Sequence, residues 1–273
     1  MTVSVMARPH IGALYVYPIK SLAGVSVLEA TVTDRGFEHD RRMMLVDPAG
    51  RFVTQRELPE LATLGVELED DVVRVSAGDG DDLQVPLHSE GPELPVQVWR
   101  SRVLATAVSA EADAWFSQVM ERPLRLVYMP DSAHREVNHA YAPEGGLVSF
   151  ADGYPYLAVT QSALEELSAR LGHTMSARRF RPNIVIEGAP PFAEDTWGHF
   201  VVGGVGFHGV KPCARCVVVT LDPDTGMGGT EPLSTLARYR KRDGHVYFGQ
   251  NLMAEGEGVV AVGMLIDIEG EAA

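Results

Sequence analysis

Two cysteines three positions apart, Cys213 and Cys216, are the side chains of this sequence best suited to metal or redox chemistry. Two cations accompany them, since Lys211 precedes the pair and Arg215 lies inside it. Two thiols at this spacing can form a redox disulfide, supply half of a zinc site, or provide one thiolate ligand for a metal. Each possibility requires different partners elsewhere in the chain.

The sequence around the cysteines disfavours the redox and zinc possibilities. A thioredoxin-type pair has its first thiol at a helix N-terminus, whereas the β-branched run 217–221 predicts a strand. Structural zinc usually takes two paired sets of ligands, but the chain has two cysteines in total and His208 is not at a paired spacing. A buried packing role suits Cys213, while the nearby cations favour a thiolate at Cys216. Packing and a single metal thiolate both stay open.

Cationic side chains at the edges of predicted strands indicate an anion-binding pocket. They are Lys20, Arg41, Arg56, Arg181 and Arg215. Guanidinium groups pair with phosphate through two parallel hydrogen bonds, so these cations suit a phosphate or another anionic cofactor group. Pro182 predicts an extended backbone at Arg181, which would fix the direction of that side chain. The common glycine-rich nucleotide loops do not occur in the sequence, so we do not expect an ordinary nucleotide.

Length, composition and charge restrict the class of protein. The chain has 273 residues, of which 45% are hydrophobic, enough for a full core without a disulfide framework. A formal net charge of −14 argues against a broad surface for nucleic acid or anionic membranes, because both require clustered cations. No apolar run reaches the roughly 20 residues of a membrane span, and residues 1–10 do not resemble an export signal. We therefore expect a cytoplasmic protein that binds neither nucleic acid nor membrane.

Strands must position most of these residues. Alternating apolar residues predict strands at 11–19 and 25–32. Short alternating runs over 66–108, separated by acidic, glycine-rich loops, predict an antiparallel barrel or sandwich. Ser109 and Thr160 are placed to cap two helices. The pattern predicts an α+β fold that is mostly β.

A polar, non-periodic stretch at 130–146 predicts a long loop between the two halves of the chain. We place the domain boundary there, with one domain at 8–129 and the other at 130–270. The acidic run 79–82 fits solvated loop tips, although it could also dock a basic partner protein.

Five short motifs occur in order along the chain. They are Tyr17-Pro18-Ile19-Lys20-Ser21, His39-Asp40-Arg41, Phe180-Arg181-Pro182-Asn183, Cys213-Ala214-Arg215-Cys216 before Asp222-Pro223-Asp224-Thr225-Gly226, and Phe248-Gly249-Gln250-Asn251. Together they resemble the MOSC family, the branch that contains the mitochondrial amidoxime-reducing component and its bacterial counterparts. The resemblance covers residues 11–268. It implies an N-terminal β-barrel domain packed on a MOSC β-barrel domain, with a few peripheral helices.

The resemblance also implies a cofactor, a mononuclear molybdenum centre on a pterin dithiolene (Moco), and not pyridoxal phosphate. Cys216 would be the metal ligand and Cys213 would not. The residues that would hold the pterin and its phosphate are Lys20, Ser21, Arg41 and Arg181. The residues that would line the pocket are Asp152, Gly153, Asn183, Ala214, Arg215 and Asn251. Because Ala214 has no hydroxyl group, only its backbone would contribute.

The implied activity is the reduction of N-oxygenated small molecules, such as amidoximes and N-hydroxylated bases, by cleavage of the N–O bond. Cys216 and Asp152 are the predicted catalytic residues, with Asp152 as a candidate general acid. No iron–sulfur domain or membrane anchor is recognisable, so we expect electrons from a separate protein, a ferredoxin or a flavoprotein reductase. The alternative is a protein that stores or delivers the cofactor, or that carries sulfur as a persulfide on Cys216.

Overall fold

The computed structural model describes residues 8–78, 80, 82–142 and 145–271, and strands account for most of the regular structure. The strands of the first half are β1 (His10–Val16), β2 (Val25–Val27), β3 (Glu29–Thr33), β4 (Gly36–Phe37), β5 (Met43–Val46), β6 (Gly65–Leu68), β7 (Val72–Ser76), β8 (Leu83–Pro86), β9 (Glu93–Val98), β10 (Ser101–Ala107) and β11 (Arg125–Tyr128). Those of the second half are β12 (Tyr156–Thr160), β13 (Ile184–Glu187), β14 (Trp197–Val202), β15 (Val205–Ala214), β16 (Lys241–Arg242), β17 (His245–Glu255), β18 (Gly258–Ala261) and β19 (Ile266–Glu271). The prediction of a mostly β fold is confirmed.

The α-helices of the described residues are α1 (Ala110–Val119), α2 (Gln161–Leu171) and α3 (Leu233–Ala237). The predicted cap of α1 is confirmed, because the Ser109 hydroxyl oxygen accepts a hydrogen bond from the Ala112 backbone N–H at 3.0 Å. Thr160 occupies the cap position of α2, but its hydroxyl oxygen accepts from the Phe192 N–H at 3.1 Å instead of capping the helix. Within the described part of the chain, no helix is both long and apolar enough to span a bilayer.

The largest sheet combines strands from both ends of the chain. Its order is β19-β14-β15-β17-β12-β13-β1-β2, and β16 pairs with β17 off this path. β1 is antiparallel to both β13 and β2, whereas β12 and β13 are parallel. The N-terminal strands β1 and β2 therefore complete a sheet that is otherwise built from the second half. Strand pairing thus crosses the boundary predicted between residues 129 and 130.

Smaller antiparallel sheets carry the rest of the first half. Their strand orders are β5-β11-β10-β9, β6-β7-β8 and β18-β3-β4. The antiparallel pairing predicted for the runs over 66–108 is confirmed by β6 with β7, β7 with β8, and β9 with β10. β18 reaches back from the second half to pair with β3. Of the acidic run, Asp79 and Asp81 lie outside the described residues.

Buried aromatic side chains join the two halves in a shared core. Phe37, Tyr156 and Phe207 are almost completely buried. The ring centroids of Phe37 and Tyr156 lie 5.0 Å apart and those of Tyr156 and Phe207 5.6 Å apart, both edge to face. A second core, which includes Phe116 of α1 and Leu126 of β11, lies within the first half. The shared core and the paired strands fix the two halves against each other.

This pairing brings several strand ends together at one edge of the large sheet. Leu14 near the end of β1 pairs with Ile184 at the start of β13, because these strands are antiparallel. Ala158 of the parallel strand β12 also pairs with Ile184, so β12 begins at the same edge. The segments 17–21, 150–155 and 180–183 adjoin these strand ends, and residues 213–216 at the end of β15 line one cavity with them.

The strand predicted at 217–221 is wrong, because Val217–Thr220 forms a short 3₁₀ helix. Val219 is buried in a core with residues of α2 and α3. The Thr220 hydroxyl donates a hydrogen bond to the Val217 carbonyl at 2.8 Å, within the same turn. Tertiary packing therefore outweighs the β propensity of the three valines.

Candidate cofactor-binding site

A cavity of about 220 Å³ opens at this edge of the large sheet. All the residues predicted to bind the cofactor line it. They are Lys20, Ser21, Arg41, Asp152, Gly153, Arg181, Asn183, Ala214, Arg215, Cys216 and Asn251. Both halves of the chain contribute to this wall, so the strand pairing between the halves is what assembles the cavity.

Lys20 and Asp152 form an ion pair in the cavity. The Lys20 ammonium group lies 2.5 Å from Asp152 Oδ1 and donates to the Phe150 carbonyl at 2.8 Å. Burial lowers the pKa of Lys20 to about 8, despite the attraction of Asp152. Burial would raise the pKa of Asp152, but Lys20 and Arg56 hold it well below its ordinary value.

This ion pair argues against the predicted role of Asp152 as a general acid. A carboxyl group that stays ionised at neutral pH has no proton to donate. The Asp152 side chain is 58% exposed toward the open cavity, so water screens part of the attraction without reversing its direction. Asp152 is better described as the counter-ion that keeps Lys20 in place.

Two guanidinium groups contact the buried ring of Tyr17. The guanidinium carbon of Arg41 lies 4.2 Å from the ring centroid, and that of Arg181 lies 4.3 Å from it. The Tyr17 hydroxyl donates to the Pro182 carbonyl at 3.1 Å, which fixes the ring. Burial lowers the pKa of Arg181 to about 10, so this side chain is still a cation at neutral pH. No sequence pattern assigned this positioning role to Tyr17.

Asp40 and Asn183 hold Arg41 from its other side. The fully buried Asp40 carboxylate accepts hydrogen bonds from Arg41 Nη1 and, at 2.8 Å, from the Tyr17 N–H. Asn183 Oδ1 accepts from Arg41 Nη1 at 2.9 Å, and its Nδ2 donates to the Tyr15 carbonyl at 3.2 Å. Asn183 therefore acts within the protein as the residue that orients Arg41, and Asp40 supplies the opposite charge.

Three residues of the cavity wall have a left-handed backbone, which is uncommon outside glycine. The φ angles are 74° at Ser21, 49° at Arg41 and 55° at Arg181. The extended backbone predicted for Arg181 is therefore wrong. Its N–H donates to the Arg178 carbonyl at 3.3 Å, which continues the preceding 3₁₀ turn instead of starting the strand. Such conformations cost on the order of 1–3 kcal/mol each and cluster at ligand-binding sites.

Each cysteine lines the cavity and accepts a hydrogen bond from an arginine. Arg56 Nη2 lies 3.1 Å from Cys216 Sγ, and Arg215 Nη1 lies 3.0 Å from Cys213 Sγ. Both thiols are free and half-buried, so the structure places Cys213 on the cavity wall and not in the core. Among the described residues, neither cysteine belongs to a group of three possible metal ligands, which disfavours a zinc site.

Arg56 and Trp99 contact the site although the resemblance assigns neither of them. The Arg56 guanidinium lies 4.8 Å from the Trp99 ring centroid, and Trp99 Nε1 donates to Asp152 Oδ1 at 3.2 Å. The charge of Arg56 was a usable sequence signal. Trp99 offered none, because it lies in the turn between β9 and β10 and reaches the site through contacts with residues distant in the sequence.

The cavity is strongly cationic within an acidic protein. Among the described residues, its charged side chains are five cations and one carboxylate, namely Lys20, Arg41, Arg56, Arg181, Arg215 and Asp152. The Nε atom of Arg215 is buried and has no hydrogen-bond partner, which is costly unless a ligand accepts from it. The cavity therefore suits an anionic group bound beside a cysteine thiol.

Fold and cavity together define a class, a two-part β protein with a cationic cavity next to a thiol. Residues 8–123 match the family model described as "MOSC N-terminal beta barrel domain" and residues 146–267 match the model described as "MOSC domain". The chain belongs to the MOSC family, as the five motifs indicated.

Curated relatives of two kinds resemble the chain. Mitochondrial amidoxime-reducing component 1 of Mus musculus is 32% identical over 281 residues, which cover 96% of this chain and 82% of that protein. The Homo sapiens protein of the same name is 32% identical over 285 residues, covering 96% and 83%. Molybdenum cofactor sulfurase of Solanum lycopersicum is 32% identical over 270 residues, covering 89% of this chain but 33% of that protein.

Proposed function

We propose that this protein is a molybdenum-cofactor-dependent reductase of N-oxygenated compounds of the amidoxime type. The observation that supports the proposal best is the cavity, where a free thiol, Cys216, lies among five cations. The similarity to amidoxime-reducing components over nearly the whole chain supports the substrate class. We further propose a cytoplasmic location and a separate ferredoxin or flavoprotein reductase as the electron donor.

The cavity residues fit a pterin-based molybdenum cofactor. Cys216 offers the soft thiolate that such a metal prefers. Lys20, Arg41, Arg181 and Arg215 offer the charges that a phosphate requires, and the unpartnered Nε of Arg215 is a free donor for it. Small residues leave room along the wall, since a side-chain carbon added at Gly153 would meet nothing within 4 Å.

When bound, the cofactor supplies the two-electron chemistry that N–O cleavage requires, and the protein supplies position, charge and protons. Reduction of an amidoxime consumes two electrons and two protons and yields an amidine and water. The Lys20 ammonium group, with its pKa lowered to about 8 by burial, carries a proton at neutral pH inside the cavity. The Arg56 guanidinium balances the charge of a thiolate at Cys216, and Asp40 with Asn183 keeps Arg41 directed into the site.

The similarity to molybdenum cofactor sulfurases favours a second candidate, a protein that delivers the cofactor or carries sulfur on a cysteine. Two cavity thiols, each beside an arginine, are compatible with persulfide chemistry at Cys216. A persulfide carrier would need the reactive thiol but not a bound metal.

One experiment separates the two candidates. Purified protein is analysed for molybdenum by mass spectrometry and assayed for benzamidoxime reduction, with a reduced viologen as the electron source so that no partner protein is needed. The reductase proposal expects about one molybdenum per chain and turnover of benzamidoxime. Metal-free protein with a persulfide on Cys216, or molybdenum-loaded protein without turnover, would overturn it in favour of the second candidate.

A further inference from the structure

Four side chains form a row across four neighbouring strands of the large sheet, and none of them lines the cavity. Glu269 lies on β19, His199 on β14, His208 on β15 and Glu255 on β17. His199 and His208 are directly paired across β14 and β15, so their side chains point to the same face of the sheet. The row lies toward the opposite end of β15 from Cys213, a separation of roughly 17 Å along the strand.

The geometry of the row is that of a possible metal site. One ligand atom from each of His199, His208 and Glu255 can be chosen so that all lie within 4.8 Å of one another. Glu255 contacts both histidines, since its Oε1 lies against His208 Nε2 and its Oε2 lies 3.5 Å from His199 Nε2. His199 Nε2 is shielded from solvent and makes no hydrogen bond. A buried imidazole nitrogen without a hydrogen bond is a ligand atom ready for a cation.

A fourth residue orients one of the ligands. His199 Nδ1 lies 3.1 Å from Glu269 Oε2, so Glu269 can accept the Nδ1 proton and leave Nε2 free with its lone pair toward Glu255. Metal-binding histidines in proteins almost always donate their second ring nitrogen to a carboxylate or carbonyl in this way. The row therefore contains three ligands and one residue that positions a ligand.

Gly206 leaves open the space between two of the ligands. Gly206 pairs with Glu255 across β15 and β17. A side-chain carbon added there would lie 3.0 Å from Glu255 Oε2 and 3.0 Å from His199 Nε2. Any residue other than glycine would therefore intrude between the two ligand atoms.

We infer that His199, His208 and Glu255 form a metal site separate from the cavity. The site would bind a divalent late transition-metal ion, with Zn²⁺ as the preferred ion. Two imidazole nitrogens and one carboxylate form a common ligand set of protein zinc, with water free to occupy the fourth position. The half-exposed position admits the ion from solvent. The bound ion would cross-link β14, β15 and β17. The inference does not depend on the function proposed for the cavity.

The competing explanation is a surface group of ion pairs between two histidines and two glutamates. Exposed pairs of this kind contribute little to stability. This explanation predicts no metal binding at the row. The two explanations differ in one measurable property, saturable binding of Zn²⁺ that depends on the geometry of the row.

Zn²⁺ binding to the chelator-washed full chain, followed by isothermal titration calorimetry, tests the inference. Because the cavity cysteines can also take Zn²⁺, the same titration is repeated with Co²⁺, whose absorption spectrum distinguishes thiolate ligands from nitrogen and oxygen ligands. We expect one saturable site without thiolate character. We also expect the unfolding midpoint to rise by roughly 5 °C when the free Zn²⁺ concentration is 100 times the dissociation constant.

Two glycine variants provide a matched comparison in which every ligand is kept. Gly206→Ala places a methyl group 3.0 Å from two ligand atoms, whereas Gly270→Ala places one no closer than 3.9 Å to any neighbouring atom outside its own chain segment. We expect Gly206→Ala, like His208→Ala, to weaken Zn²⁺ binding at least tenfold, and Gly270→Ala to bind as the wild type does. Unfolding in chelator confirms that the variants fold. Wild-type affinity in both Gly206→Ala and His208→Ala, or no saturable site outside the cysteines, would overturn the inference.

Discussion

The two ends of β15 lie beside clusters of ionisable side chains in opposite environments. At the cavity end, Lys20, Arg41 and Asp40 are buried, so their charges are desolvated and must be matched almost atom for atom. At the other end, in the row formed by Glu269, His199, His208 and Glu255, both carboxylates are more than half exposed, 58% at Glu269 and 60% at Glu255. The comparison shows that the presence of charged side chains does not by itself tell at which site a substitution will be strongly destabilising. Burial decides how much the loss of one partner changes affinity or stability.

Both cysteines lie at the cavity end of β15, and we expect substitutions there to have the largest effect on metal content and activity. Cys216→Ala should lower molybdenum content and benzamidoxime turnover by at least about 100-fold, because loss of a residue that merely orients a ligand already costs 10–100-fold in metal affinity. Cys213→Ala should keep most of the molybdenum, since the resemblance assigns the ligand position to Cys216. Metal analysis and activity of the two variants check this, with thermal unfolding as the folding control. Equal losses in both variants would contradict the assignment of the ligand.

A pair of carboxylate-to-amide changes compares the two ends directly. Asp40→Asn leaves Arg41 buried without its counter-ion, and we expect the free energy of unfolding to fall by about 3 kcal/mol. Glu269→Gln removes a carboxylate that is 58% exposed, and in the presence of chelator we expect a change below about 1 kcal/mol. Urea unfolding at pH 7 measures both. Similar values for the two variants would show that burial does not distinguish the ends.

The cavity end could be predicted from the sequence far better than the histidine row. Lys20, Arg181 and Cys216 each lie in a short motif that adjoins a strand end, so local sequence carried the signal. His199 and Glu255 become neighbours only through the pairing of β14, β15 and β17, and no local pattern encodes that register.

Backbone detail at the cavity was also beyond the sequence. The left-handed φ of Arg181 and the 3₁₀ helix Val217–Thr220 run against the local preferences of a residue before proline and of a β-branched run. Predictions from local sequence fail at these two segments, and both segments contribute to the wall of the cavity.

The pH dependence of anion binding provides a smaller and more specific test of the cavity end. Lys20 is a cation below its lowered pKa of about 8 and neutral above it, so its attraction for an anion is complete at pH 7 and is lost as the pH rises through 8. With sulfate, whose charge is constant in this range, we expect affinity for the cofactor-free protein to fall up to about tenfold between pH 7 and pH 9. Arg181, with a pKa of about 10, stays charged throughout this window.

In Lys20→Arg the guanidinium keeps its charge, so the pH dependence should disappear while binding at pH 7 persists. Calorimetric titration at pH 7, 8 and 9 measures both proteins. An unchanged pH dependence in Lys20→Arg would mean that another group titrates, and that burial at this end does not control the charge of Lys20.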